Sequence, residues 1–162
     1  MRIVMRTCLA ALAMAAAPAA AAAQTQGNLH CAEAMVGTWL ATISTVKGDY
    51  ASRALVSLHM GGTLTIVDSA QHQGLQGSSF SAQQGEWSCV GSDAAKGMTM
   101  NFGFPERESI ARSHWQFAAR GKTLTGLVAL HIFPGVRGVD PFRIDTKPVE
   151  QFEFTAQRVG AP

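Results

Sequence analysis

The side chains that could do chemistry in this 162-residue chain are few and scattered. The histidines are His30, His59, His72, His114 and His131. A metal site needs three or four ligands converging on one point. His114 and His131 come nearest to that, as diagonal neighbours on one face of a predicted hairpin, but Arg112 sits between them and no third ligand is evident. The histidines therefore read as surface residues, and no metal or cofactor site is expected. Among the carboxylates, Glu106 and Glu108 flank Arg107 in a turn, and Glu150 and Glu153 lie near the last strand. Asp68 and Glu86 border the same long loop, so they are the one pair that could meet as an acid and a base. The chain has no G-x-S-x-G elbow, no phosphate-binding glycine loop and no dinucleotide fingerprint. No catalytic residue is assigned.

Cys31 and Cys89 remain once a leader is removed. Arg2 and Arg6 form a positive n-region, Cys8 to Ala17 an apolar run, and Ala21-Ala22-Ala23 a small-residue cleavage site. Residues 1–23 are thus predicted to be a signal peptide, cleaved before Gln24. The run is short, alanine-rich and broken by Pro18, which argues against a membrane anchor. The product is expected in the periplasm or outside the cell, where an even pair of cysteines reads as a Cys31–Cys89 disulfide. The alternative is two free thiols. Closing so long a loop contributes roughly 4 kcal/mol in the chain-entropy picture.

The leader also carries the charge imbalance. The full chain has 13 Lys+Arg and 11 Asp+Glu, and the leader takes two of the arginines. The rest is formally neutral, so nothing suggests a nucleic-acid partner or a basic membrane footprint. Residues 24–162 are expected to form a single β-barrel domain.

The elements that would position any site follow a period of two. After one possible helical turn at Cys31 to Met35, Trp39, Ala41 and Ile43 alternate with Leu40, Thr42 and Ser44. Strands at Ser52 to His59 and Thr63 to Asp68 follow. A three-residue Met60-Gly61-Gly62 loop sets Leu58 opposite Leu64 and Val56 opposite Ile66, whereas a two-residue turn would set them against threonines. Ser69 to Gln84 is a polar loop without periodicity. Gly85 to Val90 is a strand with Trp87 and Cys89 on one face, and Gly91 to Gly97 a turn. Met98, Met100, Phe102 and Phe104 then alternate with polar or small residues and are predicted to point inward. From Ser109 to Phe133, a two-residue Gly121-Lys122 turn pairs Trp115 with Val128, Ser113 with Leu130 and Phe117 with Gly126. Val128, Leu130 and Ile132 face inward. Pro134 to Pro148 is a second long connection, and Gln151 to Arg158 a last strand with Phe152 and Phe154 inward.

Eight strands joined in sequence predict an all-β, eight-stranded antiparallel up-and-down barrel, with a two-sheet sandwich as the alternative. The predicted inner face carries no ionisable group besides Cys89. Such a barrel is either filled by side chains or holds one small ligand. Trp39, Trp87, Phe102, Trp115 and Phe154 are the candidate ligand-lining residues, and core packing is the competing account of the same residues.

Gly37-Thr38-Trp39 opening the first strand, the hairpin around Leu58 to Ile66, and Gly85-Glu86-Trp87 resemble the small lipocalin-like (calycin-type) barrels exported by bacteria. The resemblance is one of layout and spans most of the mature chain. It implies a barrel with one open end and, in many relatives, a bound small apolar molecule; it implies no catalytic residues. The functional expectation is therefore a non-enzymatic barrel that binds a small hydrophobic partner. Two alternatives stand beside it. One is a cyclase- or isomerase-type enzyme, which requires a polar group inside the barrel. The other is a protein-binding barrel acting through Ser69 to Gln84 and Pro134 to Pro148.

Overall fold

The predicted hairpin registers are those the chain adopts. A computed structural model describes residues 29–72, 79–104, 109–143 and 146–160. The predicted leader, and Glu106 and Glu108, lie outside them. The strands are β1 (Gly37–Thr45), β2 (Tyr50–Leu58), β3 (Thr63–Asp68), β4 (Ser79–Phe80), β5 (Gln83–Cys89), β6 (Ala94–Phe104), β7 (Ser109–Arg120), β8 (Thr123–Pro134) and β9 (Glu150–Arg158). Leu58 pairs with Leu64 and Val56 with Ile66. The His59 amide bonds the Thr63 carbonyl, and Gly62 takes the left-handed conformation at φ +94° that this loop requires. Trp115 pairs with Val128, Ser113 with Leu130 and Phe117 with Gly126.

Eight strands close into an antiparallel barrel in the order β1-β2-β3-β5-β6-β7-β8-β9, with β9 returning to pair with β1. The two-residue β4 adds to the end of β6. Closure is what removes the two exposed edges an open sheet would leave. The connections are unequal. Tight turns at 59–62, 90–93 and 121–122 gather at one end, the base. The β1–β2 turn and the long connections from β3 and β8 gather at the other, the rim.

A helix at residues 29–35 covers the base. Cys31 and Met35 are fully buried in the core. The Cys31–Cys89 disulfide, with Cα atoms 6.1 Å apart, ties the helix to β5. Trp39 Nε1 donates to the Met35 carbonyl at 2.9 Å, which ties it to β1. Arg158, at the end of β9, donates to the Ala34 carbonyl at 2.6 Å and lies 4.5 Å from the centre of the Trp39 ring. A guanidinium over an indole face gains from the ring quadrupole while its edge stays hydrogen-bonded.

Strand β6 departs from the sequence expectation in length and in face. It begins at Ala94, inside the stretch read as a turn. Ala95, Gly97, Thr99 and Asn101 point inward, so Met98, Met100 and Phe102 point outward, and Phe102 is 60% exposed. The reason is cross-strand. Trp87 is inward on β5 and stands opposite Gly97, which also stands opposite Trp115 on β7. A Cβ at Gly97 would meet Leu64 Cδ2 at 2.7 Å and Phe117 Cε2 at 3.2 Å. Leu64 and Phe117 fill the space between the two indoles, and only glycine leaves room for them. The alternation of β6 was legible, but it is two-sided: its more hydrophobic face is not its inner one.

A second departure concerns the outside of β7 and β8. Arg112, His131 and Phe133 alternate outward, yet all three are buried. The connection after β8 folds back over them. Arg112 Nη1 donates to the Pro141 carbonyl, and His131 Nδ1 lies 3.1 Å from Thr146 Oγ1. His131 stacks on Phe133, and the Arg112 guanidinium lies 5.0 Å from the Phe133 ring centre. His131 is therefore not the surface residue the sequence suggests. His30, His59 and His114 are exposed.

Candidate functional site at the rim of the barrel

The inner wall near the rim divides into two surfaces. Ser52 of β2, Asp68 of β3, Gln83 of β5, Thr99 and Asn101 of β6 and Ser113 of β7 form a polar arc across adjacent strands. Ile43 of β1, Val128, Leu130 and Ile132 of β8, and Phe152 and Phe154 of β9 form an apolar surface facing it. The expectation of an inner face without ionisable groups is thus overturned. Asp68 pairs in register with the buried, inward Ala54. Glu150, opposite the inward Leu130, takes the inward phase at the rim.

Most of the arc is fixed by hydrogen bonds. Trp115 Nε1 donates to Thr99 Oγ1 at 2.9 Å, and Thr99 Oγ1 donates to Gln83 Oε1 at 2.7 Å. Asn101 Nδ2 donates to the Ser81 carbonyl at 3.4 Å. Ser52 Oγ donates to Asp68 Oδ2 at 2.9 Å, and the Ala70 amide donates to Asp68 Oδ1 at 2.8 Å. Burial raises the Asp68 carboxyl above the ordinary carboxylate range, and the bonds from Ala70 and Ser52 only partly oppose it. Ser113 is 2% exposed, and its hydroxyl has no hydrogen-bond partner among the described residues.

The predicted lining residues separate. Trp115 and Phe154 are inward, with ring centres 5.6 Å apart in an edge-to-face contact, and Phe117 lies 5.9 Å from Trp115 and 5.7 Å from Phe154. Trp39 and Trp87 are inward but belong to the base, where each indole donates to a backbone carbonyl, Trp87 to His59 at 3.1 Å. Phe102 is on the outer surface. Asp68 and Glu86 do not meet: Asp68 faces in at the rim, while Glu86 is exposed and pairs with Thr63 toward the base. The residues that sequence reasoning missed are the small and polar ones, Ser52, Gln83, Thr99 and Asn101. Their signal was the weaker face of β6 and the polar start of β5.

The arrangement can orient a polar substituent and can hold one proton, at Asp68. The Ser52–Asp68 bond lacks an intervening base, so it does not generate a nucleophile. On the outer wall, His114 and His131 have ring centres 5.3 Å apart. His114 is lowered by burial, then by the charges of Arg112 and His131. Among the described residues, no three His, Cys, Asp or Glu side chains are grouped to hold a metal ion.

No protein-family model, curated protein or solved structure gives a significant match to this chain. The closed eight-stranded antiparallel barrel is consistent with a lipocalin-like fold at the level of architecture. The disulfide is of the kind that persists in oxidising surroundings.

Proposed function

We propose that this protein is exported and binds a small, largely hydrophobic molecule through the open end of the barrel. The observation that carries the reading is the divided inner wall: a continuous apolar surface on β8, β9 and β1 faces a polar arc that includes the Ser113 hydroxyl, which makes no hydrogen bond among the described residues. Binding pockets combine a mostly apolar lining with a few placed polar groups, and a barrel of this strand number is wide enough for one small ligand. Trp115 and Phe154 line the site in this reading, with Trp39 and Trp87 sealing the base. Export is supported by the predicted signal peptide together with the disulfide.

Tryptophan fluorescence titrated with fatty acids, retinoids and terpenoids tests the binding. A saturable change with at least one class is expected, and Trp115→Phe should remove most of it. A folded sample that responds to none of them sinks the reading. A second reading, an enzyme acting on a hydrophobic substrate, is favoured by one observation: a carboxyl, Asp68, faces the barrel interior and is hydrogen-bonded to Ser52 and the Ala70 amide. It requires turnover of a bound unsaturated substrate that Asp68→Asn abolishes while binding persists.

A further inference from the structure

The polar arc is not balanced in charge, and that restricts what fits it. Asp68 faces the barrel interior and receives two hydrogen bonds, from Ser52 and Ala70. Two oxygens offer about four lone-pair positions, so roughly half remain open. No cation pairs with it among the described residues. Glu150 adds a second carboxylate in the inward phase at the same end. The one inward base in the barrel strands is Arg158, which is committed to Trp39 and Ala34 at the base. Around Asp68, Arg53 and Tyr50 of β2 are exposed, Arg53 on the outer face; Lys47 and Asp49 are exposed in the β1–β2 turn, and His72 ends the 3-10 turn that follows Asp68.

We propose that the barrel takes a cationic amphiphile, a protonated amine on a hydrocarbon body, with Asp68 as the counter-charge to its head. The hydrocarbon lies along Leu130, Ile132, Phe152 and Phe154. The Ser113 hydroxyl and the open side of Asn101 accept hydrogen bonds from the same end of the molecule. This rests on the binding reading above and narrows it to one ligand class. The chemical ground is that a half-desolvated carboxylate without a cation is unfavourable, and a charge-assisted N–H···O bond is about twice as strong as a neutral one. An alcohol would occupy the same space without supplying the missing charge. A carboxylate would add a third negative group to the inward pair Asp68 and Glu150.

The test is calorimetric titration of the purified protein with dodecylamine, dodecanol and dodecanoate, each below its aggregation concentration. Dodecylamine is expected to bind about tenfold or more tighter than dodecanol, the size of one charge-assisted hydrogen bond. Asp68→Asn should abolish that preference while leaving dodecanol affinity in place. Wild-type protein gives an independent reading that needs no variant. The ammonium keeps its charge throughout the acid range, so dodecylamine affinity should fall as pH drops through the titration of Asp68, and dodecanol affinity should not. Equal affinities, a preference for dodecanoate, or loss of the preference in Glu150→Gln but not in Asp68→Asn overturns the proposal and leaves the binding reading standing. Failure of all three probes, and of the lipids above, with folded protein removes the binding reading itself.

Discussion

At the base of the barrel the indoles of Trp39 and Trp87 donate to the Met35 and His59 carbonyls, and a disulfide and Arg158 hold the helix in place. At the rim, Asp68 faces inward without a counter-ion and the Ser113 hydroxyl is unpartnered among the described residues. Both ends are lined by the same eight strands. The difference separates an end held by hydrogen bonds, a disulfide and a cation–ring contact from one whose inward polar groups keep open hydrogen-bonding positions.

The largest way to break the contrast is at the base. Trp39→Ala should lower unfolding stability by about 3–5 kcal/mol in denaturant titration, because it empties a fully buried indole site. The same change also removes the ring face beneath the Arg158 guanidinium. Converting both Cys31 and Cys89 to alanine should cost about 2–4 kcal/mol, and wild-type protein under reducing conditions should lose a similar amount. If the rim were as structural as the base, Asp68→Asn would also destabilise.

The opposite is expected for Asp68→Asn at neutral pH. The folded state holds the Asp68 proton to higher pH than the unfolded chain does. Its contribution to stability is therefore full below the unfolded titration and declines as pH rises through the raised folded value. Asp68→Asn should flatten that decline in stability measured across the acid range, and leave the protein as stable or more stable above it. A smaller effect is spectroscopic. His114 should titrate below an ordinary histidine by NMR, because burial and then Arg112 and His131 disfavour its charge, and Arg112→Gln should raise it part of the way back. The smallest is Phe102→Ser, which should change stability by about 0.5 kcal/mol or less because the side chain is on the outside. A large loss there would mean that the outer face of β6 is covered in the working protein.

Much of the fold was legible because it depends on short-range pattern. A one-residue slip between β2 and β3 would have turned Val56 and Leu58 toward threonines, so burial alone selected the register. The Gly121-Lys122 turn did the same for β7 and β8. The site was less legible. Met98, Met100 and Phe102 alternate so regularly that their face looks internal, and nothing within β6 says otherwise. What decided the matter was Gly97, held between Trp87 and Trp115 from neighbouring strands. The inward orientation of Thr99 and Asn101, and with it the polar arc, follows from that packing. The burial of Arg112 and His131 was hidden for a related reason: period two separates the faces of a strand but does not say whether a loop returns to cover the outer one.

The sequence by itself determined that this chain is all-β and that its strands follow one another as hairpins, because alternation and turn chemistry are local properties; it left Cys31 and Cys89 as a pair or as two thiols, and the structure joins them. Only the tertiary structure decided which face of β6 looks inward, that Arg158 closes the base over Trp39, and that Asp68 and Glu86 stay apart. Those outcomes depend on the volume three or four strands can share at one level of a closed barrel, and that volume is a property of the assembled wall rather than of any one strand.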